Sequence, residues 1–432
     1  MKTVTPRATR SGIPPTAWRN PNFRRLWRGS AASAIGSEVA ELALPLFALL
    51  TLSASAAQAS TLRVVQFLPF LLAALPAGML VDRLGPGRLR LMVGADVGRA
   101  LLVLLIPVAA WTGVATMTGL YVVVFAVALL TVVFQVADFA VLPAIVDEGQ
   151  LVDANGKISA AQSAAETGGR GLGGLLVQAV GAPAALLVNA FGYVASAVSL
   201  GRIRLADTNR RPTWVQSDAR RSALREAAQG VTAAVRHRYV RPLLGEASMF
   251  NLFNEVFVLG LLLYAVREAR LGPVAIGAVF TAGGVGSFAG AWFGARLTGR
   301  FGYGRVLLFT LAVGNGAPLG ALLANRAGSG LLPLLCLIFV VMGVGIGIAN
   351  VHAVSLRQTA TPEHLRGRVN AAYRLISWGC VPVGAALGGV LATQAGPFAA
   401  MAVGAVGVSL ATLWVAFSRV PGLAGIHDAV RS

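Results

Sequence analysis

Charge is scarce in this 432-residue chain. Only 12% of its residues are Asp, Glu, Lys or Arg, while 56% are hydrophobic, against about 25% charged in soluble proteins. That balance argues against a water-soluble enzyme, and no nucleophile, base and orienting group stand in a recognisable set. Cysteine is nearly absent. Cys336 and Cys380 both lie inside apolar runs, where they form neither a disulfide framework nor a metal-ligand spacing and read as small buried hydrophobes. The first 28 residues are basic and lack the short apolar core of a cleaved leader, so this end is expected to stay in the cytoplasm. No Gly-x-x-x-x-Gly-Lys phosphate loop occurs, which speaks against direct ATP drive; no cofactor is implied. Acidic residues are the scarcer sign, 17 against 36 Lys+Arg. In a soluble protein that excess would suggest nucleic acid, but here the basic residues sit in short breaks between apolar runs, where they set topology and meet anionic lipid. Nucleic acid is not an expected partner; membrane lipids are.

What the chain has is length enough for about twelve spans of roughly 20 residues. Apolar runs predict helices near 28–50, 61–81, 90–111, 118–138, 157–179 and 183–202, then 243–266, 273–297, 305–324, 331–353, 368–393 and 397–418. The fold class is therefore an all-α membrane protein of twelve helices. Its expected parts are an N-terminal segment 1–27, a bundle 28–202, a linker 203–242, a second bundle 243–418 and a tail 419–432. With both ends inside, 29 of the 36 basic residues fall on the cytoplasmic side, as the positive-inside rule requires. Arg63, Arg267, Arg270 and Arg326 are left to outer loops. Within the linker, Leu224, Ala227, Ala228, Val231, Ala234 and Val235 recur at helical spacing. This amphipathic helix either lies on the inner leaflet or joins the bundles as a solvated connection.

The two halves repeat weakly. Asp82-Arg83-Leu84-Gly85-Pro86-Gly87-Arg88 follows the second span, and Gly299-Arg300-Phe301-Gly302-Tyr303-Gly304-Arg305 follows the eighth. Such duplication predicts two bundles related by a pseudo-twofold along the membrane normal, with a site between them, and favours a rocking carrier over a fixed pore.

Ionisable groups inside predicted spans cost roughly 2.5 to 3.5 kcal/mol each at the bilayer centre, so each needs a partner, a cavity or a proton. Glu38 and Glu41 share one face of the first span, Glu38 about 15 Å deep. Both cannot ionise cheaply in low dielectric, so one is expected to hold a proton near neutral pH; the alternative pairs one with Arg170 and turns the other to the outer vestibule. On the fifth span Glu166 and Arg170 are spaced i, i+4 and are expected to neutralise each other, or else Arg170 switches between Glu166 and the first-span acids. Asn251, Asn254 and Glu255 form a polar cluster on the seventh span, with no visible counter-ion for Glu255. Arg374 and Trp378 on the eleventh either snorkel or touch cargo. Asp96 and Arg99 read as a structural pair. Asp138 and His352 are expected at the wet cytoplasmic ends of their spans. Gly169-x-Gly171-x-x-Gly174 has the form of a dinucleotide fingerprint, but within an apolar helix such spacing marks close packing, as do the glycines of spans eight and ten (Gly283, Gly284, Gly286, Gly290; Gly343, Gly345, Gly347).

Gly78, Asp82, Arg83, Gly85, Arg88 and Arg90 match the loop signature of the major facilitator superfamily. Arg357-Gln358, Pro362 and Arg366-Gly367-Arg368-Val369-Asn370, together with Leu142-Pro143 and Ala154-Asn155, resemble its drug:proton antiporter branch of macrolide efflux proteins and the enterobactin exporter. Arg170 departs from that branch, standing where a proline is expected. The resemblance implies alternating access, proton-coupled export of an amphipathic small molecule, function as a monomer, and a latch at Gly78, Asp82, Arg83, Gly85 and Arg88. Glu38, Glu41, Glu166, Arg170 and Glu255 are the expected coupling residues, and Asn251, Asn254, Arg374 and Trp378 the expected cargo contacts. A nutrient importer or uniporter is the alternative, and a non-transporting sensor or scaffold the remote one.

Overall fold

The computed structural model describes residues 16–84, 87–203, 219–426 and 428. The helices are α1 (Pro21–Leu46), α2 (Ala56–Leu84), α3 (Arg88–Trp111), α4 (Met117–Ile145), α5 (Leu151–Val180) and α6 (Ala182–Gly201). Then follow α7 (Ala219–Arg236), α8 (Val240–Leu263), α9 (Pro273–Phe301), α10 (Tyr303–Gly316), α11 (Leu331–Ala360), α12 (Glu363–Gln394), α13 (Pro397–Ala411) and the short α14 (Leu413–Ala416). No strand occurs among the described residues. A 3₁₀ stretch, Ala317–Arg326, extends α10. All helices except α7 and the short α14 coincide with the twelve predicted spans, and eleven segments are long and apolar enough to cross a membrane. The twelfth, α5, has 30 residues and so is about 45 Å long. It falls short in hydropathy because it carries Asp153, Lys157, Glu166 and Arg170.

Inside each bundle α1 packs on α5 and α6, and α8 on α12 and α13. Between bundles α2 meets α12 and α5 meets α9. The pseudo-twofold is visible in backbone detail. Helix α1 ends in a π turn, Phe47–Thr51, and Ser53 follows with φ 51°. Helix α8 ends in a π turn, Tyr264–Glu268, and Arg270 follows with φ 52°. Left-handed backbone at a residue other than glycine costs of order 1 kcal/mol, yet both halves keep it at corresponding places.

The end of the molecule with these π turns is closed. Leu46, Phe47 and Leu62 share one apolar core there with Leu262, Leu263, Ile276 and Ala392 of the other bundle. Arg267 donates a hydrogen bond across the gap to the Ala54 carbonyl, and the Val274 N–H donates to Gln178 at 3.2 Å. Toward the opposite end the cores separate. Phe23, Leu26, Met92 and Leu200 form one, and Tyr239, Leu243, Leu307 and Leu356 another. The two bundles are thus welded over one half and independent over the other.

The linker helix α7 packs against the second bundle. It docks on the start of α12, where Arg368 donates to Gln229 at 2.9 Å, and a Cβ at Gly230 would come within 2.4 Å of the Arg368 carbonyl oxygen. Ala234 is fully buried there, whereas Ala228 and Val235 remain exposed. The buried stripe is narrower than the apolar pattern, with Ala234 packed among Val240 and Leu244 of α8 and Val369 of α12. The side chains of Leu224 and Ala227 lie outside the described residues.

Candidate functional site

The π-turn half ends, toward the middle of the molecule, in a cavity of about 140 Å³ between the bundles. Its walls are mostly aliphatic, with Glu41, Arg63, Gln66, Arg170, Asn254 and Glu255 as the polar groups. One guanidinium organises them. Arg63 on α2 donates to Glu41 of α1 at 2.5 Å and to both carboxylate oxygens of Glu255 on α8, at 2.9 and 3.2 Å. Gln66 locks the arrangement by accepting from Arg63 at 3.0 Å and donating to the second Glu41 oxygen at 3.0 Å. The Arg63 and Glu255 side chains are only 17% and 10% exposed. Bidentate, charge-assisted contacts of this kind are the strong class of hydrogen bond. Two carboxylates facing one arginine leave the cluster with a formal charge of −1 when both are ionised.

Two sequence expectations are corrected here. Arg63 is not an outer-loop residue: it stands two turns inside α2. It read as a loop because it lies near the edge of an apolar run. Glu255 is not without a counter-ion, and its partner lies 192 positions away, a distance no local pattern can reveal.

Glu38, one turn before Glu41, meets a different arginine. Arg170 of α5 donates to it at 3.0 Å, with its guanidinium 5.5 Å from the Phe280 ring centre. The expected Glu166–Arg170 ion pair does not form; Glu166, one turn before Arg170 on α5, is exposed. The reason lies in the glycines around Arg170. A Cβ at Gly169 would sit 2.5 Å from that of Glu38, and one at Gly173 3.0 Å from the Val39 carbonyl oxygen. On the other face, Cβ atoms at Gly171 and Gly174 would strike Thr281 and the Pro273 carbonyl, at 2.3 and 2.5 Å. Two bare ledges let α5 touch α1 and α9 at once, which draws Arg170 toward α1. The dinucleotide-like spacing is this packing surface. Gly283, Gly286, Gly343 and Gly347 similarly seat α9 against α11.

Of the remaining candidates, Asn254 lines the cavity and its buried Oδ1 accepts no hydrogen bond. Asn251 instead donates to the Ser377 carbonyl at 2.9 Å, tying α8 to α12. Arg374 lies over the Trp378 ring at 5.9 Å, both exposed and outside the cavity lining. Arg99 pairs with Asp96 and is sandwiched between the Phe134 and Tyr193 rings, 4.3 Å from each centre. His352 is 5% exposed and sits edge-on to Tyr303, not at a wet helix end. Around the α2–α3 turn, Arg88 at the start of α3 donates to the Val81 carbonyl of α2 at 3.2 Å, and Gly78 within α2 has open space where a Cβ would be. The side chains of Asp82 and Arg83, and all of Gly85, lie outside the described residues. Sequence reasoning also missed Glu246 of α8, which accepts from Asn315 at 3.1 Å and has no cationic partner among the described residues. Its position beside the basic linker disguised it. Among the described residues no His, Cys, Asp and Glu are grouped to hold a metal ion.

The model of the Major Facilitator Superfamily matches residues 26–381. The chain is 28% identical over 390 residues to the multidrug efflux pump Tap of Mycolicibacterium fortuitum, spanning 88% of this chain and 90% of that protein. Among solved structures it resembles a bacterial homologue of the iron transporter ferroportin in an inward-facing state (TM-score 0.70, 16% identity, 93% of this chain and 99% of that one). It also resembles a bacterial homologue of the human lysosomal transporter Spinster, inward-facing and unoccupied (TM-score 0.67, 13% identity, 96% and 98%). At these identities the structural likenesses speak to fold alone.

Proposed function

The chain belongs to the Major Facilitator Superfamily and is a multi-pass membrane transporter, not an enzyme; we propose that it exports amphipathic, preferentially cationic small molecules in exchange for protons. The observation that carries this reading is the Arg63 bridge between Glu41 and Glu255, which joins the bundles at the floor of their closed half. The kinship to a multidrug efflux pump at 28% identity supports the direction and breadth of transport.

The charge asymmetry of the loops supports an open end and both termini on the cytoplasmic side, which makes this conformation the inward-facing one in the scheme. In it both glutamates are bridged by Arg63, the state expected after protons have left. A cationic cargo entering the cavity competes with Arg63 for Glu41 and Glu255. Each charge-assisted hydrogen bond it displaces is worth about 1.5–3 kcal/mol, enough to loosen the closure that these bonds maintain. Once the opposite side opens, protons arriving on the same carboxylates remove the charge that holds the cargo, and the cargo leaves. Return to the inward-facing state then needs only the neutral acids, and loss of the protons to the cytoplasm re-forms the bridge. Proton and cargo exclude one another because they use the same oxygens. Glu38 and Arg170 hold α1 to α5 and tune this site from one turn away. The loop at Gly78, Asp82, Arg83, Gly85 and Arg88 serves as the cytoplasmic latch of the outward-open state. The protein works as a monomer in this scheme, since both halves of the site come from one chain.

Uptake of a cationic dye into inverted membrane vesicles tests the reading. Uphill accumulation that collapses with a protonophore, and falls about tenfold in Glu255→Gln, supports it. Equilibration of one solute regardless of the pH gradient would identify a uniporter instead.

A further inference from the structure

At the cytoplasmic end of the second bundle, on its outer surface, a recess of about 750 Å³ opens between α8 and the α13–α14 segment. Three arginines rim it: Arg238, Arg241 and Arg419. None meets a carboxylate among the described residues; Arg238 donates only to the Tyr239 hydroxyl, at 3.1 Å. A patch of three cations without counter-ions is unfavourable unless an anion joins them.

The lining changes character with depth, and does so in the same direction on two antiparallel segments. From the turn before α8 into that helix the order is Arg238, Arg241, Pro242, Met249. Along α13–α14, read from its far end, it is Arg419, Ser418, Phe417, Trp414, Leu413, Leu410. Both run from guanidinium to aliphatic side chain over about 12 Å of helix rise. Between them the Trp414 indole lies flat against α8 at Gly245, where a Cβ would stand 2.4 Å from the ring. Phe417, 87% exposed, flanks the entrance. Indole rings at headgroup level, charge outside and an apolar wall beneath reproduce the polarity profile of a phospholipid along the membrane normal.

We propose that this recess binds a phospholipid with an anionic headgroup, its phosphodiester held by Arg241, Arg419 and Arg238 and one acyl chain lying along Trp414, Leu413, Leu410 and Met249. A soluble phosphate fits the rim alone and leaves the apolar wall unexplained. The site is on the lipid-facing side of α8, away from the cavity at Glu255, so the assignment stands apart from the transport reading.

The test uses the purified full chain in a non-ionic detergent, titrated with phosphatidylglycerol carrying brominated acyl chains. Tryptophan quenching is read as the difference between the unmodified protein and Trp414→Phe, which isolates the Trp414 signal. Saturable quenching by phosphatidylglycerol is expected, with brominated phosphatidylcholine at least several-fold weaker. Arg241→Gln and Arg419→Gln are each expected to raise the half-saturating lipid concentration about fivefold, and Arg419→Lys to restore most of the loss. Equal quenching by the two lipids overturns the proposal, and that comparison needs no arginine variant to fold. Unchanged lipid binding in folded arginine variants also overturns it. So does displacement of the lipid by glycerol 3-phosphate at matching concentrations, which would mark a soluble-anion site.

Discussion

Glu38 and Glu255 occupy corresponding places in the two bundles, each nine residues before the π turn that ends its helix, yet they are used differently. Glu38 pairs with Arg170 of its own bundle, through a guanidinium that is 36% exposed. Glu255 pairs across the interface with Arg63, at 17% exposure, and shares it with Glu41. The place that Arg63 holds on α2 is taken on α9 by Phe280, counting from the starts of those helices. The duplicated scaffold thus supplied two equivalent acid positions, and only one has a counter-ion from the opposite half. The lesson concerns topology more than chemistry. A buried ion pair within one bundle is a clip that rocking leaves intact, whereas the same pair between bundles must break whenever the halves part.

Removing the shared cation should break this comparison most severely. Arg63→Gln leaves two carboxylates without a charge partner in a confined site, where truncating one member of a buried pair costs about 3–5 kcal/mol. Dye accumulation should vanish, and thermal unfolding in detergent should shift downward markedly. Unimpaired uphill transport in this variant would show that the bridge is not part of the cycle.

Neutralising the two equivalent acids sharpens the contrast. Glu255→Gln should depress uphill export by about tenfold while leaving downhill exchange of cargo measurable, because the cavity survives and only the titrating oxygen is gone. Glu38→Gln should change export by less than about fivefold, the range of a partly exposed pair worth about 0–1 kcal/mol. Equal losses in the two variants would dissolve the distinction between clip and bridge.

These expectations show what could be read from residues alone. Glu38, Glu41 and Glu255 stood out because a charge within an apolar run is costly wherever the chain goes, and helical spacing put the first two on one face. The loop repeat after spans two and eight foretold the twofold that the π turns at Phe47–Thr51 and Tyr264–Glu268 display. Partner choice was illegible. Arg170 had an acid at i−4 and took another, since Gly169 and Gly173 bring α1 closer than the next turn of its own helix. Arg63 was lost among loop residues because hydropathy places helix ends only to within a few positions. His352 was assigned to water because its position along the span says nothing about the Tyr303 ring that covers it.

The smallest expected effect lies where the linker joins the second bundle, far from either acid. His237, ahead of α8, donates from Nε2 to the Ala360 carbonyl at 3.0 Å, and its Nδ1 accepts the N–H groups of Tyr239 and Val240. Burial, with the Arg238 charge beside it, holds this imidazole below its ordinary value of 6.5 against the opposing bond to the Ala360 carbonyl, and the two N–H groups on Nδ1 can be accepted only by the neutral ring. The stability it lends is therefore present above pH 6.5 and lost as the pH falls toward the depressed folded value. Hydrogen exchange across 219–240, corrected for intrinsic rates, should quicken between about pH 7.5 and 5.5. The change should be absent in His237→Asn, and transport should alter little.

Proton release on cargo binding probes the shared use of the Glu41 and Glu255 oxygens most directly. Purified protein in weakly buffered detergent is mixed with a cationic dye over a series of pH values and the released protons are counted. The unmodified protein and Glu38→Gln should release protons in proportion to dye bound, and Glu41→Gln/Glu255→Gln should release none. Undiminished release from that double variant, or its loss in Glu38→Gln alone, would contradict the account.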